Sequence, residues 1–193
     1  MDDIISLFEA HGGTMRTQDL KNMGVSLLSV EKLIEQGLLE RVQYGVYTDK
    51  KQWDDELYLF SLRCKKGIYS HDTALYLHGL NDRAPLTFYM TLPSGYNPYR
   101  FRGEAKFYYI AKDLHEMGLM QMNSPFGRNI PVYDLDRTVC DILRNESRLD
   151  AFVFSEAMKG YVRSEKKNLM RLREYAKALR VYNKLGRYLK VLL

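Results

Sequence analysis

Within its first fifty residues the chain runs three short amphipathic segments into glycine-marked turns, then changes to the period of a hairpin, and few folds accept that order. Ile4, Ile5, Leu7 and Phe8 recur at helical spacing and stop at Gly12-Gly13, which predicts a first helix over about residues 2–10. Thr17 is placed to cap a second, short helix containing Leu20, which ends around Asn22-Met23-Gly24. Ser26 then caps a third helix, with Val30, Leu33, Ile34 and Gly37 on its buried side. Two short helices joined by a glycine-containing turn form a helix-turn-helix, whose second member enters the major groove in DNA-binding proteins. From Leu38 to Tyr47 the pattern partly alternates, turns at Tyr44-Gly45 and resumes with β formers, which predicts a wing hairpin directly after that helix.

On this reading the outward side of the third helix offers Ser26, Ser29, Lys32 and Gln36, with Glu31 and Glu35 nearby. Lys32 suits a guanine edge or a phosphate, Gln36 an adenine, and the serine hydroxyls either backbone or base. Arg41 and Gln43 on the wing are candidates for phosphate or minor-groove contact, and Arg16 and Thr17 for backbone contact at the start of the second helix. A three-helix module with a hairpin also serves protein contact, and that alternative stays open.

Charge is unevenly spread. Residues 1–50 carry 5 basic and 8 acidic side chains, residues 51–154 carry 13 of each, and residues 155–193 carry 11 basic against 3 acidic. An acidic reader is unusual, because neutralising phosphates supplies much of DNA affinity. In the last predicted helix Arg173, Lys177, Arg180, Lys184 and Arg187 follow at steps of 4, 3, 4 and 3, predicting one basic face. Leu172, Ala176, Leu179, Tyr182, Gly186 and Leu189 make the complementary packed face. The strip suits DNA phosphates or an acidic partner, or is simply a solvated face.

After the polar joint Asp49-Lys50-Lys51, Trp53, Leu57, Leu59, Phe60 and Leu62 read as a helix, and Ser70 caps another that ends at Gly79. Strands are predicted at Leu86–Leu92, Lys106–Ile110 and Asn129–Tyr133, followed by a helix opened by Asp134 or Asp136 and by helices to the C-terminus, with a break around Lys184-Leu185-Gly186. Strand and helix do not alternate regularly enough for a doubly wound sheet. The expected fold class is therefore α+β: a winged helix-turn-helix over residues 1–50 and a mixed α/β domain over residues 51–193, with a small sheet and a helical C-terminus.

Several chemistries find no support. Cys64 and Cys140 lie far apart and the four histidines do not cluster with them, so neither a disulfide framework nor a zinc site is expected, and a reducing cytoplasm fits. No apolar run approaches about 18 residues, so no membrane span is expected. No Walker loop, dinucleotide fingerprint or nucleophile elbow occurs, so no cofactor, bound metal or enzymatic activity is expected. Asp82 with Glu104-Ala105-Lys106 loosely follows a metal-dependent nuclease pattern, the weaker alternative. His71 and His78 read as structural, and Asp134, Asp136, Arg137 and Asp141 as helix capping with a local ion pair.

Four stretches together carry a resemblance. They are Gly13–Leu20 with Met23-Gly24-Val25, Ile34–Val42 with Tyr44–Tyr47, Ile68–Leu80, and Val132–Leu143. In that order and spacing the chain resembles the AbiEi-type antitoxins of type IV toxin–antitoxin (abortive infection) systems. The resemblance implies a cytoplasmic bacterial regulator that binds double-stranded DNA repeats in its own promoter and represses it. It also implies a nucleotidyltransferase-like toxin as functional partner, opposed by the second, effector domain without a stable complex being required.

Overall fold

A computed structural model describes residues 2–192, with side chains from Asp3 to Tyr188. It divides into two compact units, Met1–Leu62 with Asn123–Asn129, and Arg63–Met122 with Ile130–Leu193. Among the described residues no helix is long and apolar enough to cross a membrane.

The first unit contains α1 (Asp2–Ala10), β1 (Thr14–Arg16), α2 (Thr17–Asn22), α3 (Leu27–Glu35), β2 (Leu39–Gln43) and β3 (Val46–Asp49), and α4 (Glu56–Arg63) runs to its boundary. Phe8, Met15, Leu20, Val30, Leu33, Leu39 and Tyr47 close its core, one or two from each of α1 to β3. The expected three helices and hairpin are present, and β1 adds a third strand in the order β1-β3-β2. The unit continues past the wing. Arg128 donates to the His11 carbonyl at 3.0 Å and to the Tyr58 hydroxyl at 2.9 Å, and Ser124 donates to Asp55 at 2.5 Å.

The second unit holds β4 (Ile68–Tyr69), α5 (His71–Leu77), β5 (Phe88–Pro93), β6 (Ala105–Ile110), α6 (Lys112–His115), β7 (Leu119–Asn123), β8 (Asn129–Tyr133), α7 (Leu135–Arg144), α8 (Ala151–Arg163), α9 (Leu169–Ala178) and α10 (Tyr182–Leu192). Its sheet has the mixed order β6-β5-β4-β8-β7: β4 is antiparallel to β5 and parallel to β8, while β5 and β6 run parallel. Val139, Ile142, Leu143, Ala157, Tyr161 and Leu172 build a helical core beside it. The architecture is thus the α+β class expected, a small mixed sheet followed by helices.

The C-terminal helix departs from expectation. It breaks not at Lys184-Leu185-Gly186 but at Leu179-Arg180-Val181, with Arg180 in the left-handed region at φ 59°. The Val181 N–H reaches back to the Ala176 carbonyl at 2.8 Å and buried Val181 seals the end, a Schellman closure with arginine where glycine is usual. The packed face holds at Leu172, Ala176 and Leu179, whereas Tyr182 and Gly186 are exposed, and the Leu189 side chain lies outside the described residues.

Polar groups penetrate the core at α7. Arg137 has no exposed surface; its Nε faces Asp141 at 3.1 Å and its Nη1 donates to the carbonyls of Leu114 and Met117 at 2.9 and 2.6 Å. Its guanidinium lies 4.1 Å over the Tyr133 ring. Burial drives the Asp141 carboxyl above its ordinary range, and Arg137 opposes that rise. One turn earlier, Asp134 caps α7 through the Arg137 N–H at 2.8 Å. Asp136 accepts from the Tyr161 hydroxyl, the Asn168 N–H and Arg171 Nε at 2.7, 3.0 and 2.6 Å, tying α7 to α8 and α9. The sequence reading of capping and a local ion pair holds, with the network reaching farther than one helix. Arg137→Met strands a buried carboxylate and is expected to cost about 3–5 kcal/mol in chemical denaturation. Adding Asp141→Leu is expected to restore much of that loss, and a double variant as unstable as the single one contradicts this account.

His71 opens α5 with φ 49°, a left-handed value that costs a non-glycine residue about 1–3 kcal/mol. Its ring is buried and stacks on Tyr108 with centroids 3.5 Å apart. The Asn145 amide nitrogen lies 3.0 Å from both the Asp141 carbonyl and His71 Nε2. A carbonyl only accepts, so the amide must donate there; Nε2 accepts as well, and the ring proton sits on Nδ1, facing Ser70 Oγ at 3.0 Å. Burial, with repulsion from Arg137 and Arg144, lowers the imidazole pKa from 6.5 to about 3. As pH falls below the unfolded value the unfolded chain takes up a proton that the folded chain refuses. Stability is therefore fully present above about pH 6.5 and drains away toward pH 3, approaching about 1.4 kcal/mol per pH unit from this group. Burial lowers His78 and His115 in the same direction. His71→Asn, which tolerates the left-handed backbone, is expected to flatten the acid limb of stability by one proton, read from denaturation at several pH values; an unaltered slope refutes the assignment.

Candidate nucleic-acid interface

The interface builds from the α2–turn–α3 corner. Gly24 takes φ 73° and Val25 N–H returns to the Leu20 carbonyl at 2.9 Å, closing α2 so that α3 can start at a new angle. Ser26 occupies the N-cap position in extended conformation without a side-chain capping bond. Val30 and Leu33 are fully buried, which turns Leu28, Glu31, Lys32, Glu35 and Gln36 outward. Of the expected reader residues, Ser26, Lys32 and Gln36 are exposed and Ser29 is half-buried. Leu28, 71% exposed, lies one turn before Lys32 and completes an i, i+4, i+8 stripe with Gln36. The helical phase that buries Val30 and Leu33 also turns Leu28 outward beside Lys32, a member of the face that the sequence reading missed.

The wing pairs β2 with β3 antiparallel, Leu39 opposite Asp49 and Arg41 opposite Tyr47, with an irregularity between Arg41 and Gln43. Arg41 is exposed and lies 5.0 Å over the ring of Tyr44, which stands 93% exposed at the tip; Gln43 is half-buried. The α2 start is bound to this hairpin, because the Thr17 N–H donates to the Gly45 carbonyl at 2.8 Å and its hydroxyl does so at 3.3 Å.

Thr17 is therefore half-buried and engaged with the wing, and the cap position expected for it falls to Arg16. The Arg16 guanidinium forks onto Asp19, Nε to Oδ2 at 2.9 Å and Nη2 to Oδ1 at 2.8 Å, and holds that carboxyl below its ordinary range. Arg128 lies 3.6 Å from the same carboxylate. Lys32 and Arg41 have no ion-pair partner among the described residues. Counted by unit, the first carries 7 basic and 11 acidic side chains and the second 22 and 13, balances of −4 and +9 that sum to the chain's +5.

The helix break divides the C-terminal strip. Arg173 bonds the Tyr182 hydroxyl through Nε and Nη2 at 3.2 and 3.1 Å, and the Lys177 ammonium lies 5.8 Å from the same ring. Lys184 donates to the Leu143 carbonyl at 3.2 Å and pairs with Glu146 at 3.4 Å. Arg180 and Arg187 are exposed. One continuous helical face is thus replaced by an α9 pair gathered on Tyr182, a bend residue and an α10 group.

The loose nuclease pattern is not assembled as a site. Glu104 is engaged by Arg63 at 2.8 Å, Lys106 donates to the Tyr89 hydroxyl at 3.1 Å, and no group of three potential metal ligands occurs among the described residues. His78 is separately occupied, 2.7 Å from the Tyr133 carbonyl.

Gly45 has φ 68°, and a Cβ there meets Thr17 Oγ1 at 3.1 Å, whereas a Cβ on Gly24 meets nothing within 4 Å. Gly24→Ala is expected to cost only the left-handed penalty of about 1–2 kcal/mol. Gly45→Ala is expected to cost more, because it also displaces the Thr17 hydroxyl. Equal losses in thermal denaturation contradict a strutted wing.

Residues 2–48 match a family model described as "Transcriptional regulator, AbiEi antitoxin". No curated protein matches the chain. Among solved structures, the RV2827C protein from Mycobacterium tuberculosis superposes with a TM-score of 0.57 at 13% identity, over 90% of this chain and 70% of that one. The winged module thus matches a family of antitoxin regulators, and the fold of the chain is similar to that of a mycobacterial protein.

Proposed function

We propose that this chain is a DNA-binding transcriptional regulator of the antitoxin type, not an enzyme, and that it represses its own promoter. The observation that carries this reading is the α3 stripe of Leu28, Lys32 and Gln36 in a module whose wing carries Arg41 and Tyr44. Lys32 and Gln36 supply base or phosphate contacts in the major groove, Leu28 offers an apolar contact of the kind that thymine methyl groups accept, and Arg41 binds backbone or minor groove. Ser26, at the exposed start of α3, is a phosphate ligand, and Ser29 and Gln43 contribute with their exposed parts. Arg16 contributes less, since Asp19 already engages it. The second unit, at +9, supplies the non-specific attraction that the acidic first unit lacks. That unit also opposes a nucleotidyltransferase-like toxin, in keeping with the antitoxin family matched by residues 2–48.

A second reading has its own support: Met23, Leu28 and Tyr44 are exposed at 45, 71 and 93% on an acidic module, which suits protein contact. The two readings separate in a salt-dependent titration with duplex DNA from immediately upstream of the gene. Regulation predicts sequence preference at physiological salt, and the protein-contact module predicts none. Lys32→Ala is expected to weaken specific binding by about 1–3 kcal/mol if it reads a base, and Arg41→Ala to lower the salt slope by about one if it binds phosphate. Unchanged affinity in both removes the assignment. Replacing Arg173, Lys177, Arg180, Lys184 and Arg187 together by glutamine is expected to impair promoter binding or protection from a co-expressed toxin. Retention of both marks these residues as a solvated surface.

A further inference from the structure

A cavity of about 370 Å³ in the second unit lies outside everything assigned so far. Its walls are the outer strand β6, the end of α7 and the 3-10 turn Glu146–Arg148, and its size is that of small-molecule sites. Its inner wall is built rather than incidental. His71 is held in a left-handed backbone conformation, stacked on Tyr108 and bonded to Ser70 and Asn145, while Thr91 donates to Ser70 at 2.9 Å. This wall is neutral and already hydrogen-bonded, so it shapes the cavity without supplying charge.

The charge comes from Arg144 and Arg148. Both line the cavity, both are exposed, and neither guanidinium has an ion-pair or hydrogen-bond partner among the described residues. Neighbouring cations differ, since Arg137 is held by Asp141 and Lys184 by Glu146. Nor does the end of α7 require these arginines: Lys184 takes the Leu143 carbonyl, and the Asn145 N–H takes those of Asp141 and Ile142. The acidic group in the lining, Asp141, is already committed to Arg137.

We propose that this cavity binds a small phosphate-bearing molecule, gripped by Arg144 and Arg148. Two guanidinium forks would have to share the two oxygens of one carboxylate, whereas a terminal phosphate offers three oxygens and more negative charge. The Tyr108 hydroxyl, protonated at neutral pH as any ordinary phenol is, serves as a further donor.

The test is calorimetric titration of the full chain at physiological salt with inorganic phosphate, pyrophosphate and adenosine monophosphate, with citrate as the carboxylate control. At least one phosphate probe is expected to saturate at one site and to bind more tightly than citrate. Arg144→Gln and Arg148→Gln alter exposed side chains, and each is expected to weaken that binding by about tenfold or more. Unchanged melting profiles show that both variants are folded. A duplex DNA competitor separates the two sources of phosphate: the small-molecule assignment requires that excess duplex leave probe binding intact. Absence of saturable binding, equal binding of citrate, indifference to both substitutions or displacement by duplex each overturns the proposal. The outcome is independent of promoter recognition by the first unit.

Discussion

A guanidinium without exposed surface needs acceptors, and the second unit is organised around that requirement, although the buried Arg137 Nη2 is left without one. Arg137 faces Asp141 along its own helix, the carbonyls of Leu114 in α6 and Met117 beyond it, and the ring of Tyr133 at the end of β8. One side chain thereby fixes α7 against the sheet and orders the connection that leads into β7. Asp136 performs the complementary task toward α8 and α9, through Tyr161, Asn168 and Arg171. Apolar packing of Val139, Ile142 and Leu143 supplies most of the attraction, but it is non-directional. The polar contacts select one seating of the helix, because in any other a buried charge is left unmatched.

Legibility in the sequence followed periodicity. The first three helices and the wing could be read because apolar spacing and glycine positions agreed, even though the cap expected at Thr17 falls to Arg16. Asn129–Tyr133 was equally plain, with β formers ending at a capping aspartate. The elements that escaped are short or lack alternation. β1 spans three residues and forms only because β3 is available to pair with it; β4 has two residues; β7 reads Leu-Met-Gln-Met-Asn, a composition that favours helix. The break between α9 and α10 had no glycine to announce it, and Gly186 instead lies within a helix. Tertiary burial of Val181 outweighs the local cost of a left-handed arginine.

The candidate interface was legible to a different degree. Lys32, Gln36 and Arg41 could be placed because helical phase and the wing turn were clear. The same phase exposes Leu28, whereas the engagement of Arg16 with Asp19 and the wing contact of Thr17 depend on the folded geometry. His71 shows the same limit. As one of two histidines on an apolar segment it read as structural, and it is buried and neutral; its place beside Arg144 and Arg148 arises from pairing between β5 and β6 and from the end of α7, 73 residues beyond it.

The bond from the Thr17 N–H to the Gly45 carbonyl has a mechanical consequence. It joins the first turn of α2 to the tip of the hairpin, while α2 and α3 share Leu20, Val30 and Leu33 in one packed centre. Through α2, the helix α3 and the wing are therefore tied into one caliper rather than a helix with a free-standing arm. For a duplex held by both jaws, accommodation falls on the nucleic acid: groove width and local bending must match a separation that the protein does not adjust. On the regulatory reading proposed above, such a caliper discriminates by the stiffness of base steps that no side chain touches, a route to selectivity that needs no additional cations on an acidic module.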